Sequence, residues 1–297
     1  MKPVFSSVKA ITFTTLTIVA LTLAPMLATA QPPGPGPGPG PGTGRSSFTM
    51  DPRAQDRTYH FADTNEDLHY CVFASSKIKT DKPAPMIIAL HGFGAGPQIM
   101  CNKTAVDLAE EGGYVLAAPM GYNVSGWYGS PVISMKRPGA PEDPNAIPPE
   151  KLQVYSENDV MNVLAMMRKE FKVDDHRIYL TGHSMGGAGT YYLGAKHADI
   201  WAAIAPVAPA AFLMMDGRAE PLKKLKAAGV PVMVVHGDID EVVPVATSHT
   251  WVASMDELGV EHEYVELKGI THGPVITASQ QSIYAFFAKH TKKSAAK

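Results

Sequence analysis

The sequence predicts an α/β fold, a mostly parallel sheet flanked by helices in a single domain. Residues 85–90, Pro-Met-Ile-Ile-Ala-Leu, form a continuous apolar run of the kind a parallel sheet buries on both faces. Such runs alternate along the chain with segments of helical periodicity, which is the pattern of crossover-connected parallel strands. One of them, Ile178-Tyr179-Leu180, runs through Thr181 into Gly182-His183-Ser184-Met185-Gly186 and then into a small-residue stretch that starts a helix.

Taken in order, residues 67–74 alternate in polarity and predict an early strand, paired as a hairpin with the segment near 59–61. The buried strand at 85–90 comes next, then a helix over 103–111 ended by Gly112-Gly113, and a second buried strand over 114–118 closed by Pro119. Residues 121–150 break the rhythm. They are rich in Gly, Pro, Ser and aromatics (Tyr122, Trp127, Tyr128), and five prolines fall between Pro138 and Pro149. A loop of that length in a compact domain is functional or disordered. Helical periodicity returns over 156–171 through Val160, Val163, Leu164 and Met167, with Ser156 as the expected N-cap. Beyond the Gly-His-Ser-Met-Gly turn, strands are expected at 200–206, 231–235 and 262–267, and helices at 223–228, 248–258 and 280–289.

The N-terminus reads as export machinery. Lys2 and Lys9 precede an apolar run over 11–23, and Ala28-Thr29-Ala30 supplies a small-residue cleavage site, so residues 1–30 are expected to be a signal peptide. The run is short and Pro25 interrupts it, which argues against a membrane anchor and leaves no membrane association after cleavage. Residues 31–47 hold a Pro-Gly repeat without the glycine period of collagen, expected to be a disordered linker, and 48–297 are left for the folded domain. The chain carries 26 basic and 28 acidic residues; without Lys2 and Lys9 the balance is 24 − 28 = −4, so neither nucleic acid nor an anionic membrane is implied as a partner. A secreted or periplasmic location makes a Cys71–Cys101 disulfide plausible, closing 30 residues for roughly 3 kcal/mol in the chain-entropy model; two separate buried thiols are the alternative.

Gly182-x-Ser184-x-Gly186 between a strand and a helix is the pattern of a nucleophile elbow, in which a strained turn lifts the serine hydroxyl above the sheet. A serine hydroxyl needs a base, and the base needs an orienting carboxylate. Asp240 lies in the loop leaving the strand Val234-Val235-His236, and His272 follows the last expected strand, so the chain order is nucleophile, acid, base. Asp238 and Glu241 are neighbouring candidates for the acid. Among the other histidines, His262 lies in a strand, His249 in a helix, and His183 is expected to pack beneath the elbow. Acyl transfer also needs two backbone N–H groups for the developing oxyanion. Met185, after the nucleophile, and Phe93, in His91-Gly92-Phe93-Gly94-Ala95-Gly96 at the end of an early strand, are the expected donors. The glycine spacing there is not G-x-G-x-x-G and no Lys-Ser/Thr follows, which argues against phosphate binding.

Leu90-His91-Gly92, the segment 175–187 around Ser184, and 236–244 (His-Gly-Asp-Ile-Asp-Glu-Val-Val-Pro) together resemble the α/β-hydrolase superfamily. More narrowly they resemble its exported esterase and polyhydroxybutyrate-depolymerase-like branch, which overlaps with feruloyl esterases and prolyl-oligopeptidase-type catalytic domains. The resemblance implies an α/β-hydrolase fold with an eight-stranded sheet, a mechanism without metal or cofactor, and a carboxylic ester, small or polymeric, as substrate. No polymer-binding domain is expected after the catalytic one, and no β-propeller is expected. Trp127 and Tyr128, in the long loop on the substrate side, are expected to stack on an acyl or aromatic group, or else to anchor the loop. A serine peptidase and a non-catalytic binding protein are the competing readings. The oligomeric state is not legible.

Overall fold

The computed structural model describes residues 49–133 and 146–292. The expected signal peptide, the Pro-Gly linker and part of the 121–150 loop lie outside the described residues.

A long hairpin opens the fold: β1 (Gln55–Phe61) pairs antiparallel with β2 (Glu66–Ala74), from Gln55 opposite Val72 to Phe61 opposite Glu66. Then come β3 (Ala84–Leu90), α1 (Lys103–Gly112), β4 (Val115–Pro119), α2 (Pro149–Glu170), β5 (Val173–His183) and α3 (Met185–Lys196). The chain continues through β6 (Ala203–Val207), α4 (Ala219–Ala228), β7 (Val232–Gly237), α5 (Ala246–Leu258), β8 (His262–Leu267), a short α6 (Val275–Ala278) and α7 (Gln280–Lys289). The eight strands form one sheet in the order β1-β2-β4-β3-β5-β6-β7-β8. Pairings β1–β2 and β2–β4 are antiparallel, and those from β4 to β8 are parallel.

The uniform hydrophobicity of β3 has a two-sided cause. Met86, Ile88 and Leu90 pack with the cluster formed by α2, α3, α4 and α5, whereas Ile87 and Ala89 pack with the cluster formed by α1 and α7. The alternation of a strand puts successive side chains on opposite faces, and here both faces are covered. Parallel crossovers also set the direction: β3, β5, β7 and β8 end at the same edge of the sheet, and the loops after those ends carry Phe93, Ser184, Asp240 and His272. Ligand sites of open α/β sheets lie outside the carboxyl ends of their strands.

One expectation changes. The helix expected from 156 begins at Pro149, with Pro at its first position, so Ser156 is not an N-cap but a buried residue of the helix interior. The prolines read as loop residues are themselves the start, because proline at the first helical position gives up no intrahelical hydrogen bond and has its φ pre-set. Cys71 and Cys101 are bridged, as one of the two sequence readings has it, and Cys101 closes the 3-10 turn Pro97–Cys101 ahead of α1.

Candidate active site

β5 runs into Ser184, whose backbone is held at φ 57° and ψ −113°, a conformation a non-glycine residue adopts only when its surroundings over-determine it. Ser184 N–H donates to Val207 O at 2.9 Å, and Ser184 O accepts from Ala188 N at 3.1 Å and from Ala210 N at 3.0 Å. A Cβ at Gly182 would overlap the Gly186 carbonyl, and one at Gly186 would overlap the Leu90 carbonyl, so only glycine lets strand, turn and helix approach this closely.

Ser184 Oγ lies 2.9 Å from His272 Nε2, and His272 Nδ1 lies 2.7 Å from Asp240 Oδ2. A carboxylate only accepts, so Nδ1 carries the proton and Nε2 presents its lone pair to the serine hydroxyl. The other carboxylate oxygen, Oδ1, accepts Val242 N at 2.9 Å and Val243 N at 2.8 Å. The Asp240 side chain is fully enclosed. Burial works against its charge, yet the His272 bond and the two amides outweigh it and hold the carboxyl below its ordinary range. Asp238 instead accepts Gly269 N at 2.7 Å and braces the start of the loop that carries His272. Glu241 reaches only the His272 backbone N–H, at 3.5 Å.

A family model described as PET hydrolase-like matches residues 156–293. A bifunctional acetylxylan esterase/xylanase from Neocallimastix patriciarum is 24% identical over 261 residues, 76% of this chain and 33% of that one. Cutinase 1 of Thermobifida cellulosilytica is 32% identical over 101 residues, 34% of this chain and 35% of the relative. The chain therefore spans about a third of the length of these curated relatives. Among solved structures, a thermostable esterase superposes with a TM-score of 0.62 at 22% identity, over 80% of this chain and 63% of that one. A ferulic acid esterase from Anaeromyces mucronatus superposes with a TM-score of 0.60 at 18% identity, over 80% of this chain and 90% of that one. The chain has the α/β-hydrolase fold.

In this fold Ser184 and His272 line a cleft of about 340 Å³, walled mainly by apolar side chains: Phe93, Trp127, Ile133, Phe212, Val243 and Ile276. Met185 is the first residue of α3, so its N–H has no acceptor within the helix. Phe93 lies on the facing loop, and among the described residues no acceptor takes its N–H. A Cβ on the preceding Gly92 would stand 3.0 Å from His183 Nδ1 and 3.4 Å from Ser184 Cβ, which explains why the loop passes so near Ser184 with glycine at this position.

Beneath the serine, His183 is buried, as its place beside the nucleophile suggested, and its Nε2 donates to the His272 carbonyl at 2.9 Å. Trp127 lines the cleft wall. Tyr128 does not, and the expectation that it stacks on substrate is corrected: it is fully buried, with its hydroxyl on the backbone of His91. Adjacent positions in a chain usually face different ways, and nothing in the loop's composition tells which aromatic turns inward.

His236 was legible only as part of the His236–Pro244 motif. It is fully enclosed, and its Nε2 lies 2.9 Å from Val243 O and 3.3 Å from Asp240 Oδ2. Both neighbours are acceptors, so Nε2 carries the proton, while Nδ1 accepts from the Ser248 hydroxyl at 2.7 Å. Burial pushes the His236 imidazole down and favours its neutral form, so it is a second donor beside Asp240 without adding a second charge.

Proposed function

We propose that this chain is a secreted serine hydrolase of carboxylic esters. The observation that carries the reading is the hydrogen-bonded line from Ser184 Oγ through His272 to Asp240, 2.9 and 2.7 Å long, opening on an apolar cleft. The esterases among the similar proteins support the choice of ester over other acyl substrates.

His272 Nε2 takes the Ser184 proton as Oγ attacks the ester carbonyl, and Asp240 holds the imidazole in the right tautomer and stabilises the imidazolium. The carbonyl oxygen becomes an oxyanion met by the Phe93 and Met185 amides. His272 then returns the proton to the departing alcohol, leaving an acyl-Ser184. Water, activated by the same imidazole, releases the acid and restores the hydroxyl. The apolar wall suits an acyl or aromatic portion of a small or polymeric ester, with Trp127 contributing one side. Export rests on Lys2, Lys9, the apolar run 11–23 and Ala28-Thr29-Ala30, and a Cys71–Cys101 bridge is at home in an oxidising compartment.

The test is hydrolysis of p-nitrophenyl esters from acetate to palmitate by the wild type and by Ser184→Ala, with aminoacyl anilides as counter-substrates. Ester turnover lost in the variant is expected. No ester turnover by a folded wild type, or turnover undiminished in the variant, would reject the reading. N-terminal sequencing of exported protein is expected to begin at Gln31.

A further inference from the structure

Two neighbouring aromatic residues in the 121–133 loop occupy left-handed backbone conformations, Trp127 at φ 59° and Tyr128 at φ 51°, and Gly129 continues the turn at φ 83°. For a residue with a Cβ this conformation costs roughly 1–3 kcal/mol, and it persists only where the surroundings leave no alternative. The surroundings are specific here. Tyr128 N–H donates to the Ser156 hydroxyl of α2 at 2.8 Å, and Ser130 returns both its N–H, at 2.9 Å, and its hydroxyl, at 2.6 Å, to Trp127 O. Gly189 of α3 leaves the space that Tyr128 fills, since a Cβ there would stand 2.6 Å from the Tyr128 Cβ.

The turn sends its two aromatic side chains in different directions. Trp127 faces the cleft; Tyr128 goes into the interior beneath the end of β3. There its hydroxyl accepts from His91 N at 3.0 Å and lies 3.3 Å from His91 O, to which it donates. One hydroxyl thus spans both backbone groups of His91, the residue that follows β3 and begins the Phe93 loop. The His91 ring stays beside it, with Nε2 2.8 Å from Met120 O. Burial keeps the phenol protonated, so this contact stays neutral throughout the working range of a hydrolase.

We propose that Tyr128 is a positioning residue for oxyanion stabilisation: by clasping the backbone of His91, its hydroxyl fixes the direction in which the Phe93 amide, two residues on, meets the oxyanion. The inference rests on the ester-hydrolase reading of the site. It assigns to the strained turn the task of coupling the cleft wall at Trp127 to the oxyanion loop. Without the hydroxyl, both His91 groups lose a buried partner and the loop settles elsewhere. A misplacement on the order of 1 Å at such a site costs about a hundredfold in rate.

The experiment compares wild type with Tyr128→Phe, which removes one oxygen. Steady-state ester hydrolysis is read together with inhibition by an acyl trifluoromethyl ketone. In that adduct Ser184 Oγ bonds to the ketone carbon, and the former carbonyl oxygen carries the negative charge. A kcat lower by about ten- to a hundredfold with KM nearly unchanged is expected, because the lost contact acts on the transition state. The inhibition constant should rise by a similar factor. Tyr179→Phe is the control: its hydroxyl also donates to a backbone carbonyl, His290 O at 2.7 Å, but far back along β5, and it should cost stability without changing kcat or inhibition. A Tyr128→Phe protein that loses stability alone, with kcat and inhibition as in wild type, overturns the proposal. Should that variant not fold, Ser156→Ala loosens the same turn and must raise the inhibition constant while lowering kcat; wild-type values there overturn it equally. A wild type that turns over no ester rejects the ester-hydrolase reading and this proposal with it, a result distinct from an active wild type matched by Tyr128→Phe.

Discussion

The Nε2–H of His183 donates to the backbone carbonyl of His272 across 2.9 Å, joining the strand that leads into Ser184 to the loop that carries His272. Burial first, and then the neighbouring His272, push the His183 imidazole down to about 3 from an ordinary 6.5. The folded pKa is the lower one, so the unfolded chain takes up this proton first as pH falls. Stability from this group is intact above pH 6.5 and is lost toward pH 3, by about 1.4 kcal/mol for each pH unit. His183→Gln keeps an N–H donor and removes the titration. Melting temperatures measured from pH 7 to 4.5 should fall more steeply for wild type than for this variant. Parallel curves would show that the folded protein tolerates a charged His183.

Asp240 and Asp238 of the 237–244 loop separate cleanly by their partners. Asp240 holds His272 at 2.7 Å, whereas Asp238 accepts the Gly269 N–H at 2.7 Å and pairs with Lys268 Nζ at 3.4 Å. Asp240→Asn should fold normally and slow ester turnover by about 10⁴, since an amide presents the wrong partner to the imidazole. Asp238→Asn should stay within about tenfold of wild type. The reverse order, read as kcat/KM on one p-nitrophenyl ester, would exchange the two roles.

Two aromatic residues of the cleft should behave differently when truncated. Trp127 is 3% exposed and Phe212 is 40% exposed. Trp127→Ala opens a void in packed structure and should destabilise by about 3–5 kcal/mol, visible in denaturant titration. Phe212→Ala should leave stability within about 1 kcal/mol and reduce kcat/KM selectively for the longer acyl chains. An unchanged chain-length profile in that variant would remove Phe212 from the acyl path.

Cys71 of β2 and Cys101 of the 3-10 turn are 30 residues apart, so their bridge fixes the hairpin against the segment just after the Phe93 loop. Replacing both by Ala should lower stability by roughly 3 kcal/mol. In a domain of this size that is a fall of about 6–12 °C in Tm, with kcat little changed. A calorimetric Tm equal to that of wild type would make the bridge energetically idle.

Much of the architecture was legible because its signals are local. The apolar run of β3 announces burial on both faces, and Gly112-Gly113 announces the end of α1, each through residues adjacent in the chain. The elbow is local too, since Gly182 and Gly186 are demanded by a turn only a few residues long. The order of Ser184, Asp240 and His272 placed each at the exit of an expected strand, and parallel strands bring such exits to one edge. The start of α2 was misread for an equally local reason: prolines suit both a loop and a first helical turn, and the residues on their C-terminal side decide between the two.

By itself, then, the sequence determined the two-faced sheet, the turn that strains Ser184 and the candidates for acid and base, because periodicity and turn chemistry act over a few residues. Only the tertiary structure decided that Asp240 rather than Asp238 meets His272, that Trp127 faces the cleft while Tyr128 turns beneath His91, and that His236 donates beside Asp240. Those outcomes depend on which buried polar groups remain unpaired once the layers have packed. Tyr128 and His91, 37 residues apart, find each other through that requirement and through no pattern the chain displays.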